Sequence, residues 1–508
     1  MLVVKHQTRN TKQETPNTLK QIISYIFILF YLGLNGLFAQ QGTFSRIYTG
    51  GNYDEGIAAF HLPDNTYRLI GNTGSYGWGN TNIWFIALDS SANFMWHKTI
   101  GVAGLDKAED AVMDSKGNIF IVGSSTSQSN MSYQMLLIGI DTMGVVFNNQ
   151  YYGGSDWDFG HALCLVDDSL LMLVGETYSF GNGQSDAWML KVNKQGDSLW
   201  SDVIGGAQKE AFYGVKYKPN FGFVMAGQSK SFGNGSFDAI VYHTNYYGDS
   251  IWFVNYPDTT DGGFYDLLFF SDSSVATCGY QTDTSNIYED NSIMKFDANG
   301  TIIWNRIESR FDQSSNYTSL EFQGNNIIAT GKTTAYGHGE HDIVLSLLSN
   351  NAWYKGNFFY GRENDEYSYS LNKDTIGGEY YLIVGTTESY GLTHPGIIFL
   401  RLNSELKGDT TPNIEIPSAI NSIDNNEVRV DIFPNPFNDE LNINLSSFDY
   451  LEKKEVSIID VYGRNILNFV IENNNTTHRI KTNNLSNGIY YLIIKSKKNS
   501  SSKLIIKG

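Results

Sequence analysis

The 508-residue sequence is short of positive charge, of cysteine, of proline and of long apolar runs. Lysine and arginine total 35 against 53 aspartates and glutamates, a formal net charge of −18. Such a surface repels nucleic acid phosphates and anionic lipid headgroups, so both are excluded as partners. Cations and neutral ligands such as glycans remain. Two cysteines allow at most one disulfide. No segment shows a 3.6-residue apolar period, which excludes helical repeats. The P-loop, the dinucleotide-binding glycine fingerprint, HExxH and GxSxG are all missing.

One long apolar run exists, "IISYIFILFYLGLNGLFAQ", preceded by Lys5, Arg9, Lys12 and Lys20. A basic stretch followed by an apolar core and ending at Ala39 reads as a signal peptide over residues 1–39. The alternative, a retained membrane anchor, is weakened by Gly33, Asn35 and Gly36. No other run is long enough to span a bilayer as a helix.

What is abundant is aromatic residues, 14%, and glycine, 50 residues, against 9 prolines. Short apolar runs between glycines indicate an all-β chain. Gly71, Gly123, Gly175, Gly227, Gly279, Gly331 and Gly385 stand 52 residues apart, with a last gap of 54. Each ends a short apolar run: "YRLIG", "IFIVG", "LMLVG", "FVMAG", "VATCG", "IIATG", "YLIVG". The third copy contains "FGHALCLVDD", "SLLMLVGET" and the hairpin "AWMLKVNKQGDSLWSDVIGG". That is four antiparallel strands, the unit of a β-propeller blade.

An aromatic stands 27 residues before the next ladder glycine at Trp96, Trp200, Trp252 and Trp304; Phe147 misses by one. The same count back from Gly71 reaches Phe44. The last copy, ending "GIIFLRLNSELKGD", has no such strand. We therefore expect a seven-bladed β-propeller over residues 40–407, with an N-terminal outermost strand, 43–50, completing the seventh blade. Cys164 then falls on the innermost strand of the third blade and Cys278 on the second strand of the fifth. A blade apart, they exceed the roughly 7 Å a disulfide allows and are expected to stay unpaired.

Two acidic columns recur. One lies 17 residues before the ladder glycine: Asp54, Asp106, Asp158 and Glu210, interrupted at Gly262 and Ser314, with Glu366 the counterpart in the longer last copy. The other lies 11 residues after it, in the loops typified by "SFGNGQSD": Asn82, Gln134, Asp186, Asp238, Asp290 and Asp342. Both fall in loops expected on one face, at the channel mouth. They are either turn chemistry, with carboxylates accepting loop N–H groups, or a ligand-binding rim for sugar hydroxyls or cations, calcium included. No cofactor is expected. The cluster "YGHGEHD", with His338, Glu340, His341 and Asp342, could hold a transition metal, but it aligns with the same loop. No catalytic pair stands out.

After Leu402 the ladder stops, and 408–428 is a polar linker. Beyond it come "FPNPFNDELNI" (Phe433 to Ile443), "IIDVYGRNI" (Ile458 to Ile466), "LSNGIYYLII" (Leu485 to Ile494) and "KLIIK" (Lys503 to Lys507). In order and at the C-terminal end, these motifs resemble the type A C-terminal sorting domain of the type IX secretion system, here residues 429–508. The resemblance covers about 80 residues and implies an immunoglobulin-like β-sandwich. Carried over by position, Pro434, Asn435 and Pro436 open the domain, Gly463 and Arg464 mark a turn, Gly488 and Tyr490 begin the penultimate strand, and Lys503 and Lys507 frame the last. It also implies export across the outer membrane by the type IX machinery, and cutting in the linker by a sortase-like peptidase. The product is then a secreted or surface-linked protein, meeting membranes only in transit or through that anchor. The expected role is a binding or adhesion module for a glycan or a surface protein. The alternative is a secreted polysaccharide hydrolase or lyase with acids at the channel mouth.

Overall fold

The computed structural model describes residues 42–507, apart from 78–79, 102–103, 127–131, 234, 257–259, 286, 309–312, 410, 418–429, 446–452, 461–464, 472–476 and 497–499. The expected signal peptide lies outside the described residues. No helix occurs among them.

Residues 44–415 build seven sheets, six of them simple antiparallel meanders of consecutive strands. Their first strands are Asp54–His61, Asp106–Met113, Asp158–Val166, Glu210–Lys218, Gly262–Phe269, Ser315–Gln323 and Glu366–Asp374. Six sheets have four strands. The seventh takes Glu366–Asp374, Tyr380–Thr387 and Gly396–Asn403, then Phe44–Tyr48 antiparallel to the last of these. Contrary to the expectation from the sequence, the N-terminal strand is not the outermost. Asn413–Glu415 pairs parallel to it on the far side, so part of the expected linker belongs to this sheet. Glu415 also accepts from the Thr49 and Phe94 N–H groups at 3.2 and 2.7 Å, and Pro417 O from the Tyr76 hydroxyl at 2.7 Å. A three-residue strand held mainly through its backbone carries no apolar periodicity, which is why its sequence reads as linker.

The second and third strands are buried along nearly their whole length, which explains their continuous apolar runs. The outer strands are half-exposed. Apolar clusters fill the spaces between consecutive sheets. A further cluster joins Leu69, Trp84 and Ile86 of the first sheet to Leu382, Val384 and Phe399 of the seventh. The repeated tryptophans bridge neighbours. Trp252 and Trp304 donate from Nε1 to Ala298 O and Asn350 O in the next sheet's hairpin turn, at 3.0 and 3.1 Å.

The glycine ladder has a steric cause. Every first strand carries a β-bulge opposite its ladder glycine. The bulge presses a first-strand carbonyl onto the second strand. A Cβ at Gly123 would lie 1.8 Å from Lys107 O, and one at Gly175 would lie 1.9 Å from Phe159 O. Only a residue without a Cβ fits. The two cysteines are buried and unpaired.

The C-terminal region has two small sheets: Asp431–Phe433, Glu440–Asn444 and Thr477–Lys481, and Asn465–Ile471, Lys454–Asp460, Gly488–Lys495 and Ser500–Lys507. Their core includes Phe437, Leu441, Ile443, Val456, Ile458, Leu492, Ile494 and Ile505.

Candidate functional site

The first acidic column is internal to the loops. Asp54, Asp106, Asp158, Glu210 and Glu366 are at most 2% exposed. Asp158 accepts from Thr177 Oγ1, from Ser179 Oγ at 2.7 Å and from the Gly154 N–H at 2.8 Å. Asp54 repeats the set with Thr73 at 2.5 Å, Ser75 at 2.8 Å and the Gly50 N–H at 2.7 Å. Asp106 takes the Ser125 hydroxyl at 2.5 Å, and Glu210 the Ser229 hydroxyl and the Ser231 and Gly206 N–H groups at 3.0, 3.0 and 2.6 Å. Each carboxylate thus ties the entry turn of a sheet to the loop after its second strand. Burial pushes the Asp54 carboxyl above its usual range, against the pull of these donors. At the interruption in the sixth sheet, Ser315, rather than Ser314, holds the position and bonds Thr333 at 2.7 Å.

The second column is equally internal: Asp186, Asp238, Asp290 and Asp342 are at most 5% exposed. Asp186 accepts from the Gly183 N–H at 3.1 Å, and Asp342 from the His338 N–H at 3.1 Å. Asp186 and Asp342 thus accept N–H groups of their own loops, and all four carboxylates are covered. His341 bonds Asp365 at 2.9 Å. Among the described residues no three His, Cys, Asp or Glu side chains converge as a metal-holding group. Replacing Asp158 by alanine strands the Thr177 hydroxyl and two loop donors. The expected cost is about 1–3 kcal/mol, read from urea unfolding, with Asp158→Asn losing less.

What all seven first strands share is one cavity of about 900 Å³, walled by their exposed edges. The bulge residue of each strand is Ile57, Glu109, His161, Tyr213, Tyr265, Thr318 or Tyr369. Ile57 is buried; the other six line the cavity. Unlike the acidic columns, this column changes from sheet to sheet. An aromatic arc runs from Tyr133 through Phe159 and His161 to Tyr213, Tyr265 and Tyr280, with neighbouring ring centroids 4.9 to 6.4 Å apart. Gln228 links two of its hydroxyls, donating to Tyr213 at 3.0 Å and accepting from Tyr280 at 3.3 Å.

In the same lining, Lys216 meets Asp266 at 3.4 Å. That carboxylate raises the lysine's pKa further. Asp110 is pushed up to about 6 by burial, offset in part by Lys216. Each acid here also clasps a backbone N–H of another first strand. Asp110 takes Leu163 at 3.1 Å, Asp266 takes Leu320 at 3.0 Å and Glu321 takes Lys373 at 3.2 Å. The sequence signal that could have found the lining was a column with no consensus, 14 residues before the ladder glycine in the first five copies.

In the C-terminal region the Phe433–Pro434 and Asn435–Pro436 bonds are cis. Asn435 Oδ1 accepts the Ile506 N–H at 2.9 Å, so the opening motif meets the last strand. Lys507 Nζ donates to Asn438 O at 2.5 Å, and the Tyr490 hydroxyl to Ser486 O at 2.8 Å. Gly488 pairs with Lys507, and Lys503 with Leu492. Gly463 and Arg464 lie outside the described residues.

The class defined by this geometry is an all-β chain of repeated four-stranded, propeller-like sheets followed by a small β domain. Residues 431–507 match the family of secretion system C-terminal sorting domains, and the chain carries that domain. It is a type IX sorting domain, which engages the type IX machinery and directs export to the cell surface or extracellular space. No curated protein matches the sequence. Among solved structures, the chain is similar to the extracellular domain of the one-component system BT4673 from B. thetaiotaomicron. Identity there is 12%, covering 90% of this chain and 57% of that one, at a TM-score of 0.37. It is also similar to PorZ, an essential surface component of the type IX secretion system of Porphyromonas gingivalis. Identity is again 12%, covering 91% and 70%, at a TM-score of 0.35. The chain thus spans little more than half of the BT4673 domain. At these scores the likeness adds nothing to the strand pairing and apolar clusters described above.

Proposed function

We propose that this is an exported seven-bladed β-propeller that binds a glycan or a surface protein at its central channel. The seven sheets act as blades. The pairing of Phe44–Tyr48 into the seventh sheet and the apolar cluster between the seventh and first sheets support closure of the ring. The observation that carries the binding reading is the contrast between columns. Acidic residues repeated in most sheets are buried in turns, whereas the residues that differ line the cavity. A scaffold needs uniformity and a recognition site needs asymmetry. After export, a sortase-like peptidase removes the sorting domain. A cut that leaves the seventh sheet whole spares Asn413–Pro417, which the strand pairing and the Tyr76 bond tie to that sheet.

The test is an array of glycans and surface proteins probed with the purified full chain. Tyr213→Ala with Tyr265→Ala should abolish the signal, while Asp186→Asn with Asp238→Asn should leave it once folding is verified. The reverse pattern would return the site to the loops.

A further inference from the structure

We propose that the channel takes the end of an uncharged glycan, its C–H faces on Tyr213, Tyr265 and Tyr369 and its hydroxyls on Glu109 and Lys216. This rests on the channel reading above and adds the class of ligand.

The charge pattern argues first. Glu109, Asp110, Asp266 and Glu321 line the cavity against Lys216 and Lys332. Four carboxylates around two ammonium groups repel an anion. A cation gains little more, because none of the four is without a donor. Glu109 is paired with Lys107 at 3.1 Å, and Lys107 also reaches Glu55 at 3.7 Å. Asp110 accepts the Ala111 N–H at 2.7 Å besides that of Leu163, and Asp266 the Ser319 hydroxyl at 3.0 Å besides Lys216. Glu321 accepts the Phe322 N–H at 2.7 Å. Lys332 lies over the Tyr367 ring, 5.4 Å from its centroid. The wall therefore offers hydrogen bonds of both kinds with little unspent charge. Neutral hydroxyls, which donate and accept at once, suit such a wall better than an ion that must be desolvated.

The aromatic pattern argues second. Tyr213 and Tyr265 are half-buried and Tyr369 is exposed at the cavity. Tyrosine presents an apolar face beside a polar tip, and a pyranose presents C–H groups on one face with hydroxyls around its edge. Met113, Leu165, Leu268 and Leu371 add apolar lining. A flexible peptide of mixed charge would have to bury its own backbone amides in this cavity. A sugar end brings mainly hydroxyls, which donate and accept at once.

The experiment uses the purified full chain on an array holding uncharged, cationic and anionic oligosaccharides. N-acetylchitotetraose, its fully de-N-acetylated tetramer and tetragalacturonate serve as matched probes beside cello-, malto- and mannotetraose. Binding is expected among uncharged members only, and the best should change affinity less than about twofold between about 50 and about 500 mM salt. Tyr213→Ala and Tyr265→Ala should each weaken it about tenfold or more, while Tyr213→Phe, which keeps the ring, should stay within about threefold. Tighter binding of the cationic or anionic probes, or silence across the array, overturns the uncharged-glycan assignment and leaves the channel reading standing. Uncharged hits indifferent to both alanine variants overturn the channel reading itself.

Discussion

Arg401→Leu is expected to destabilise the chain by about 3–5 kcal/mol, seen as a large drop in the urea midpoint. Arg401 is 0% exposed. Its Nε donates to Asp374 Oδ2 at 2.9 Å, its Nη2 to Ile376 O at 3.0 Å, and its guanidinium lies 3.6 Å from the Tyr380 ring centroid. Asp374 Oδ1 in turn meets His61 Nδ1 at 2.9 Å, and His61 stacks on Tyr67 with centroids 4.3 Å apart. The triad spans the joint between the seventh sheet and the first. Leucine would leave Asp374 buried without its guanidinium partner, with only His61 and the Ile376 N–H, at 3.0 Å, still facing it, and an undercompensated buried charge is far costlier than a missing pair. The double variant Arg401→Leu with Asp374→Leu should therefore lose less than Arg401→Leu alone. Equal losses would show that packing, not charge, dominates the joint.

The same triad sets a pH dependence. Burial opposes ionisation of Asp374, but the hydrogen bonds from His61 and Arg401 outweigh it and hold the carboxyl below its usual range. A depressed folded-state pKa stabilises the fold above the unfolded value of about 3.9 and is lost as pH falls through the folded value. Unfolding midpoints should fall steeply below about pH 4, and the Asp374→Leu, Arg401→Leu double variant should show a shallower acid limb.

Gly175→Ala should cost about 3 kcal/mol despite adding one methyl group. The new Cβ would sit 1.9 Å from Phe159 O and 3.0 Å from Gly160 Cα, both backbone atoms that no rotamer change can move aside. Relief requires the bulge to open. Gly356→Ala is the control: there the Cβ meets nothing nearer than 3.8 Å, so the change should be within about 1 kcal/mol. Similar effects at both positions would mean that the ladder reflects chain flexibility rather than close approach.

Much of the scaffold was legible because repetition amplifies weak signals. The ladder glycines, the buried second strands and the outer tryptophans each recur at a fixed offset, and each answers to a local rule of strand geometry. The acidic columns were equally visible, but their role was not. Asp158 and Asp186 have the residue type and loop context of either a turn anchor or a sugar ligand. Only burial and the direction of the Thr177, Ser179 and Gly183 donors separate the two. Asn413–Glu415 escaped notice because its backbone, rather than an apolar pattern, holds it to Phe44–Tyr48. The lining residues Glu109, His161, Tyr213, Tyr265 and Tyr369 escaped because a column without consensus looks like noise.

The sequence by itself determined the repeat, its four-stranded unit and the sorting domain that exports the chain. These depend on local spacing and steric rules that act within tens of residues. Which carboxylates are buried, which side chains meet in the cavity and how Arg401 pins the last sheet to the first were decided only by tertiary structure. Those relations join residues hundreds of positions apart, and burial and charge pairing depend on distance in space rather than along the chain.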